Sequence, residues 1–282
     1  KIITGLTIDF IVIYLSLNSL SAACIITSFV AVYVWLGGYI ALLKEGGISH
    51  KKAPAYQADR LDAARNQLIS DVNSVSDINL SHLKLFIIPG DNGMNATAYG
   101  ANCVSVTRGI LDNVDSITLT AVLGHEASHL IHLDPELNRL VFASVTLLTA
   151  SLSIISAAVA VVIFLAFLIL NCFSSWLGVL AFKGTTKVSK GIFGLIQRCV
   201  VMIYRVILGL TSRHAEYRCD RYSFSLGYGI QLAHFLSMAD RTEVKALTLT
   251  DAIYRSHPPT YRRIARLEQQ LNTQKNKVMK IS

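Results

Sequence analysis

Charge is what this sequence has least of. Of its 282 residues, 16% are Asp, Glu, Lys or Arg and 52% are hydrophobic, whereas an average soluble domain carries about 25% charged residues. Mean hydropathy is +0.46. The deficit is uneven. Apolar residues gather in 6–43, 137–182 and 192–210, while 44–136 and 211–282 have the mixture of an ordinary soluble protein. That distribution predicts a mainly α integral membrane protein whose water-facing part is assembled from two separated segments. Paired cysteines are also missing: the five are scattered, odd in number and form no C-x-x-C. This argues against a disulfide framework and a cysteine zinc site, and fits a reducing compartment. No internal repeat or low-complexity tract is present. The net charge of +8 comes from Lys and Arg beside the apolar segments, so it points to a lipid bilayer as partner and not to nucleic acid. The chain opens on Lys1 rather than Met, and further residues are expected to precede it.

Four parts follow from this pattern: membrane segment at 1–43, soluble parts at 44–136 and 211–282, and membrane helices at 137–210. A span needs about 20 residues, so 6–43 is either one long tilted helix or a hairpin turning at Asn18-Ser19. Its basic exit (Lys44, Lys51, Lys52) is the cytoplasmic end by the positive-inside bias. Residues 56–73 form an amphipathic helix with Leu61, Ala64, Leu68 and Val72 on one face. "LKLFIIP" at 83–89, "NATAYG" at 95–100 and "CVSVTRG" at 103–109 read as strands, the last two separated by a Gly-Ala-Asn turn. A helix starts after Asp115 as N-cap and stops at Asp134-Pro135. The apolar stretch 137–182 is one long span or a hairpin, with 192–210 a further span or an interfacial helix; "KGTTKVSK" at 183–190 reads as a solvated loop. The C-terminal helix is expected over about 259–270.

The chemistry lies in "GHEASHL" at 124–130. Positions i and i+4 of a helix sit about 40° apart around its axis, so His125 and His129 can aim imidazole nitrogens at one point. Glu126, rotated about 100°, can reach a water held there without being a ligand. Zinc takes imidazole and carboxylate ligands in a tetrahedral set with one position open for water. A third ligand is therefore needed, and "SRHAEYRCD" at 212–220 supplies Glu216 with Asp220 one turn on. Asp220 either orients a ligating histidine or pairs with Arg263. His132 reads as a surface residue, His214 points off the Glu216 face, and the Gly and further His of the metzincin pattern are absent after His129.

With these motifs in order, the chain resembles the HtpX-like membrane zinc metalloproteases, which are gluzincins, and is more distantly similar to the CAAX prenyl proteases. The resemblance rests on "NATAYG", "SVTRGILD", "AVLGHEASHLIHLD", "SRHAEYRCD" and "HPPTYRRIARL". It implies about four transmembrane helices plus an α+β gluzincin-type peptidase domain with a small β-sheet. It implies one Zn2+ per chain held by His125, His129 and Glu216, with Glu126 as base. His257 then reads as a donor to the oxyanion, and Asn95, Ala96, Thr97 and Ala98 as an edge strand pairing with protein or peptide substrates. Membrane protein quality control and stress response at a bacterial inner membrane, with the catalytic part cytoplasmic, complete the expectation. Two other readings remain: a CAAX-type processing protease, and a non-proteolytic zinc-binding membrane adaptor. Tyr99 and Cys219 depart from the family pattern, where smaller residues are usual.

Overall fold

A computed structural model describes residues 1–173, 175–240 and 258–279. The chain divides into two units. The first comprises residues 3–30 and 140–208: helix α1 (Ile2–Leu17), the first part of α2 (Leu20–Lys44), and most of α6 (Asp134–Phe173) and α7 (Ser175–Ser225). α1 stops where Asn18 turns left-handed at φ 47°, a conformation that Asn tolerates better than most residues. Among the described residues, α2, α6 and α7 are long and apolar enough to cross a membrane, and α1 is a shorter apolar helix. Ile154, Val162, Ile169 and Leu195 are exposed, as on helices solvated by lipid. Polar contacts tie this unit internally: Ser144 donates to Asp9 at 2.9 Å, and Gln197 donates to Ser153 Oγ at 2.8 Å.

The structure corrects one expectation here. Residues 183–190 are not a loop but lie inside α7. The run contains no proline and a single glycine, and Lys is a good helix former. Polarity alone was a poor argument for a break.

The second unit comprises residues 31–139 and 209–282. Its sheet contains β1 (Ile48–Ser49), β2 (Lys84–Ile88), β3 (Ala96–Gly100) and β4 (Cys103–Thr107) in the order β1-β2-β4-β3. β2 runs parallel to β4, and the other two pairings are antiparallel. β3 is thus an edge. It joins β4 through Ala101 and Asn102, both at positive φ (49° and 61°), the condition for a two-residue hairpin turn. α3 (Ala55–Val75) buries Leu61, Ala64, Leu68 and Val72. They pack with Leu85, Ile87, Leu119 and Leu123 in the main core, each full burial being worth about 1.5–3 kcal/mol for the large aliphatics.

The short α4 (Arg108–Asn113) leads into α5 (Ser116–Ile131). Asp115 caps α5, its carboxylate accepting the Thr118 amide at 2.7 Å. That bond holds the Asp115 pKa below its ordinary value. α5 ends at Ile131, Leu133 turns left-handed at φ 60°, and Asp134-Pro135 open α6 instead of merely stopping α5. Proline is tolerated there because the first helical N–H groups have no partner in the helix. Among the described residues, α8 (Gly229–Asp240) and α9 (Thr260–Met279) follow in this unit. α9 extends nine residues past the expected end, because nothing after Gln270 breaks it: the next residues contain neither Gly nor Pro.

Candidate metal centre and active site

Two helices bring the donor set together. α5 contributes His125 and His129 one turn apart, and the last turns of α7 contribute Glu216. The Nε2 atom of His125 lies 3.4 Å from Glu216 Oε2, and the Nε2 atom of His129 lies 3.5 Å from Glu216 Oε1. Four ligands about 2.0–2.1 Å from a tetrahedral zinc stand roughly 3.3 Å from one another. Two imidazoles and a carboxylate at this spacing fit that ion in both chemistry and size. His125 and Glu216 are buried and His129 is nearly so. A second group, His129 with Asp134 and Cys219, is a poorer fit, because Asp134 already takes the His129 Nδ1.

The outer nitrogens of both rings face carboxylates. His129 Nδ1 pairs with Asp134 Oδ2 at 2.8 Å, and Arg218 Nη2 donates to both Asp134 oxygens at 2.7 and 2.6 Å. His125 Nδ1 lies 3.0 Å from Asp220 Oδ1, an ion-pair distance, although the atoms are not aligned as a hydrogen bond. Such partners fix which ring nitrogen is free to bind a metal. Asp220 also holds Arg263, which donates to it from Nε at 2.9 Å and Nη2 at 2.6 Å. The two roles weighed for Asp220 are therefore compatible in one geometry. Arg263 Nη1 also reaches Glu216 Oε2 at 3.0 Å, so one guanidinium from α9 braces both acidic residues of the second motif.

Burial and neighbours set the protonation of the group. For His125, burial disfavours the charged ring, but the Asp220 and Glu216 carboxylates outweigh it and push its pKa up to about 10. Burial likewise opposes charge on His129, and Asp134 with its other neighbours overrides it and raises the pKa. These shifts belong to metal-free protein; a zinc ion would displace the protons. Glu126 is raised above its ordinary value, chiefly by burial, against the lowering influence of the two imidazoles and of a bond from the Ala98 backbone amide. A carboxylate with a raised pKa beside two metal-type imidazoles is placed to move protons.

The remaining candidate positions are dispersed. Ala96, Thr97 and Ala98 lie in the edge strand β3 and Asn95 immediately precedes it, its carbonyl accepting the Thr107 amide at 3.0 Å. His257 falls outside the described residues. His214 is exposed. His132 is half-buried and its Nδ1 pairs with the Ser128 carbonyl of its own helix at 2.8 Å.

A family model, "Peptidase family M48", matches residues 58–271, and so takes in α5, the end of α7 and most of α9. The chain belongs to peptidase family M48. No curated protein sequence matches it. Among solved structures it is similar to the crystal structure of S. mikatae Ste24p, with a TM-score of 0.54 and 17% identity over 93% of this chain and 62% of that one. That likeness concerns the fold. This M48 chain spans less than two thirds of the length of the Ste24p chain. Members of the family are zinc-dependent peptidases, in keeping with the donor set above.

Sequence reasoning missed two participants. Asp134 was read only as a helix stop, yet it faces His129. The signal was available in principle: an acidic residue directly after the helix, five positions past the second histidine. The bond from Arg263 to Glu216 left no comparable trace, because an arginine 47 positions away from Glu216 is brought there by the packing of α9 alone.

Proposed function

We propose that this M48 protein is a membrane-bound zinc endopeptidase binding one Zn2+ through His125, His129 and Glu216. The observation that carries the reading is the convergence of those three donors at 3.4–3.5 Å with the buried Glu126 adjacent. When bound, zinc supplies Lewis acidity and lowers the pKa of a water to about 7. Glu126 takes a proton from the attacking water and hands one to the leaving amine, a role that its raised pKa suits. The outer edge of β3 receives an extended peptide by main-chain hydrogen bonds, with Asn95, Ala96, Thr97 and Ala98 as the pairing segment. β3 packs against α5, the helix that carries Glu126, so a peptide on that edge lies beside the base. His257 serves as the donor to the developing oxyanion. Asp220 and Asp134 orient the two imidazoles.

The basic residues after α2 support a cytoplasmic peptidase unit in a bacterial inner membrane, and membrane proteins awaiting removal under stress are the substrate class we favour. The fold likeness to Ste24p favours a second reading, a CAAX-type processing protease. Purified protein incubated with casein and with a matched pair of prenylated and unprenylated peptides separates the two. Casein cleavage that disappears in Glu126→Ala supports the endopeptidase. Cleavage confined to the prenylated peptide supports the processing enzyme. Zinc bound without any hydrolysis would leave an adaptor.

A further inference from the structure

The first turns of α6 hold a second buried polar cluster beside the metal centre. Two residues after Asp134, Glu136 is 1% exposed, and its Oε1 accepts the Ala101 amide at 2.8 Å. One turn on, Arg139 donates from Nη1 to the Tyr99 carbonyl at 2.9 Å and from Nε to the Val34 carbonyl of α2 at 2.8 Å. Its Nη2 lies 3.7 Å from Glu136 Oε1. Tyr99 is in β3 and Ala101 is in the β3–β4 turn, so both charged side chains grip the far end of the edge strand. The packing admits nothing larger. A Cβ on Gly38 would stand 1.8 Å from the Tyr99 carbonyl oxygen, and one on Gly100, already at φ +84°, would stand 2.3 Å from Glu136 Oε1. Tyr99 is tied once more through its hydroxyl, which donates to Glu45.

A two-residue hairpin turn needs none of this, because water satisfies its backbone groups at a surface. Burying a carboxylate and a guanidinium costs several kcal/mol per ion before their contacts offset it. Here two of the three hydrogen bonds go to the main chain of one hairpin, whose strand β3 packs on α5, the helix of Glu126, and the third ties that hairpin to α2. Among the described residues β3 has β4 as its one strand neighbour, and the register shifts between Ala98 and Gly100. The ladder therefore holds the strand weakly at the end where Glu136 and Arg139 take over.

We propose that Glu136 and Arg139 are positioning residues for the peptide-binding strand. They fix the height of β3 over α5, and with it the placement of a bound peptide relative to Glu126. The same helical turn presents Asp134 to His129, so the start of α6 sets one metal-type imidazole and the substrate strand together. This inference rests on the endopeptidase reading. A peptide pairs with β3 in the ground state as well as the transition state, so loosening the strand raises KM more than it lowers kcat.

The test uses the zinc-loaded full chain in detergent, with a quenched fluorescent peptide of ten residues and a short substrate that does not span β3. Glu136→Leu removes the acceptor for Ala101, Arg139→Lys removes the fork that joins Tyr99 to Val34, and Glu136→Gln keeps an acceptor. For the long peptide, KM is expected to rise about tenfold in Glu136→Leu and in Arg139→Lys, the loss of roughly one buried hydrogen bond. Zinc content and short-substrate kinetics should stay near wild type, and Glu136→Gln should recover most of the KM. An unchanged KM in both disruptive variants overturns the proposal. So does an equal loss on long and short substrates together with lost zinc, which marks a structural role. If Glu136→Leu does not fold, Arg139→Lys alone decides. A wild-type protein that cleaves nothing refutes the endopeptidase reading instead. Dissociation constants of the long peptide for the same variants then decide the anchor: a tenfold weakening upholds it and no change removes it.

Discussion

Glu126 owes its chemistry to its surroundings rather than to its identity. A carboxylate on a solvated helix would be a weak base at neutral pH, and burial raises this one. Glu126→Ala should therefore keep the zinc and lose about 10²- to 10⁴-fold in turnover, checked by elemental analysis beside peptide hydrolysis. Zinc lost along with activity would make Glu126 a ligand instead. His125 offers a test by pH. Its pKa in the metal-free folded protein is about 10, above the ordinary 6.5, so the folded state binds this proton more tightly than the unfolded state does. The stability it contributes is complete below about pH 6.5 and is lost as pH rises through about 10. Zinc competes with the same proton. The melting temperature of chelator-treated protein should thus fall from pH 6.5 to 10 while zinc affinity climbs over the same window. Zinc affinity independent of pH would show that His125 carries no proton to displace.

Elements meet at Asp220, where α5, α7 and α9 share one carboxylate. Asp220→Asn should weaken zinc binding by about 10- to 100-fold, the usual effect of removing a ligand-orienting partner, with the fold retained. Arg263→Ala removes the cation that pairs with both Glu216 and Asp220. Two buried carboxylates are left without it, and the expected cost is about 3–5 kcal/mol, seen as a lower melting temperature. The double variant should be less than additive, since the two residues share one network. Full additivity would mean that Asp220 and Arg263 act independently. The junction of α2 with the β3–β4 hairpin is as tight. Gly38→Ala drives a Cβ into backbone rather than into a movable side chain, and both thermal stability and peptide KM should suffer, unlike for a surface Gly→Ala change, where restricting the unfolded chain stabilises by about 0.4–1 kcal/mol.

At the scale of the whole molecule, the chain must be threaded so that residues before α6 and in the last turns of α7 meet. His125 and Glu216 are 91 positions apart in sequence yet 3.4 Å apart in space. Whatever crosses the bilayer between them must cross an even number of times. Cysteines placed at the exposed Lys51 and Thr273 should therefore react identically with a membrane-impermeant label, both protected in intact cells and both labelled after lysis. Opposite labelling of the two would contradict the proposed topology, and labelling of both from outside would reverse its orientation.

Much of the site was legible in the sequence because its spacing is local. The i, i+4 histidines with an intervening glutamate, the Asp115 cap, and the α3 stripe of Leu61, Ala64, Leu68 and Val72 are each fixed by helical periodicity, which neighbouring residues reveal by themselves. The apolar runs likewise declare their need for lipid by length alone. Periodicity says nothing about partners distant along the chain. Whether Asp220 serves His125 or Arg263 stayed open until packing placed both against it. The parallel pairing of β2 with β4 and the two-residue β1 carry no local signature. The continuation of α7 through its lysines depends on the absence of a breaker, a weaker signal than polarity seemed to be. Glu136 and Arg139 were two charges at the foot of a span until the tertiary fold closed the β3–β4 hairpin over them. Main-chain groups of one segment bonded by side chains of another leave no pattern in either, so such contacts are decided in three dimensions alone.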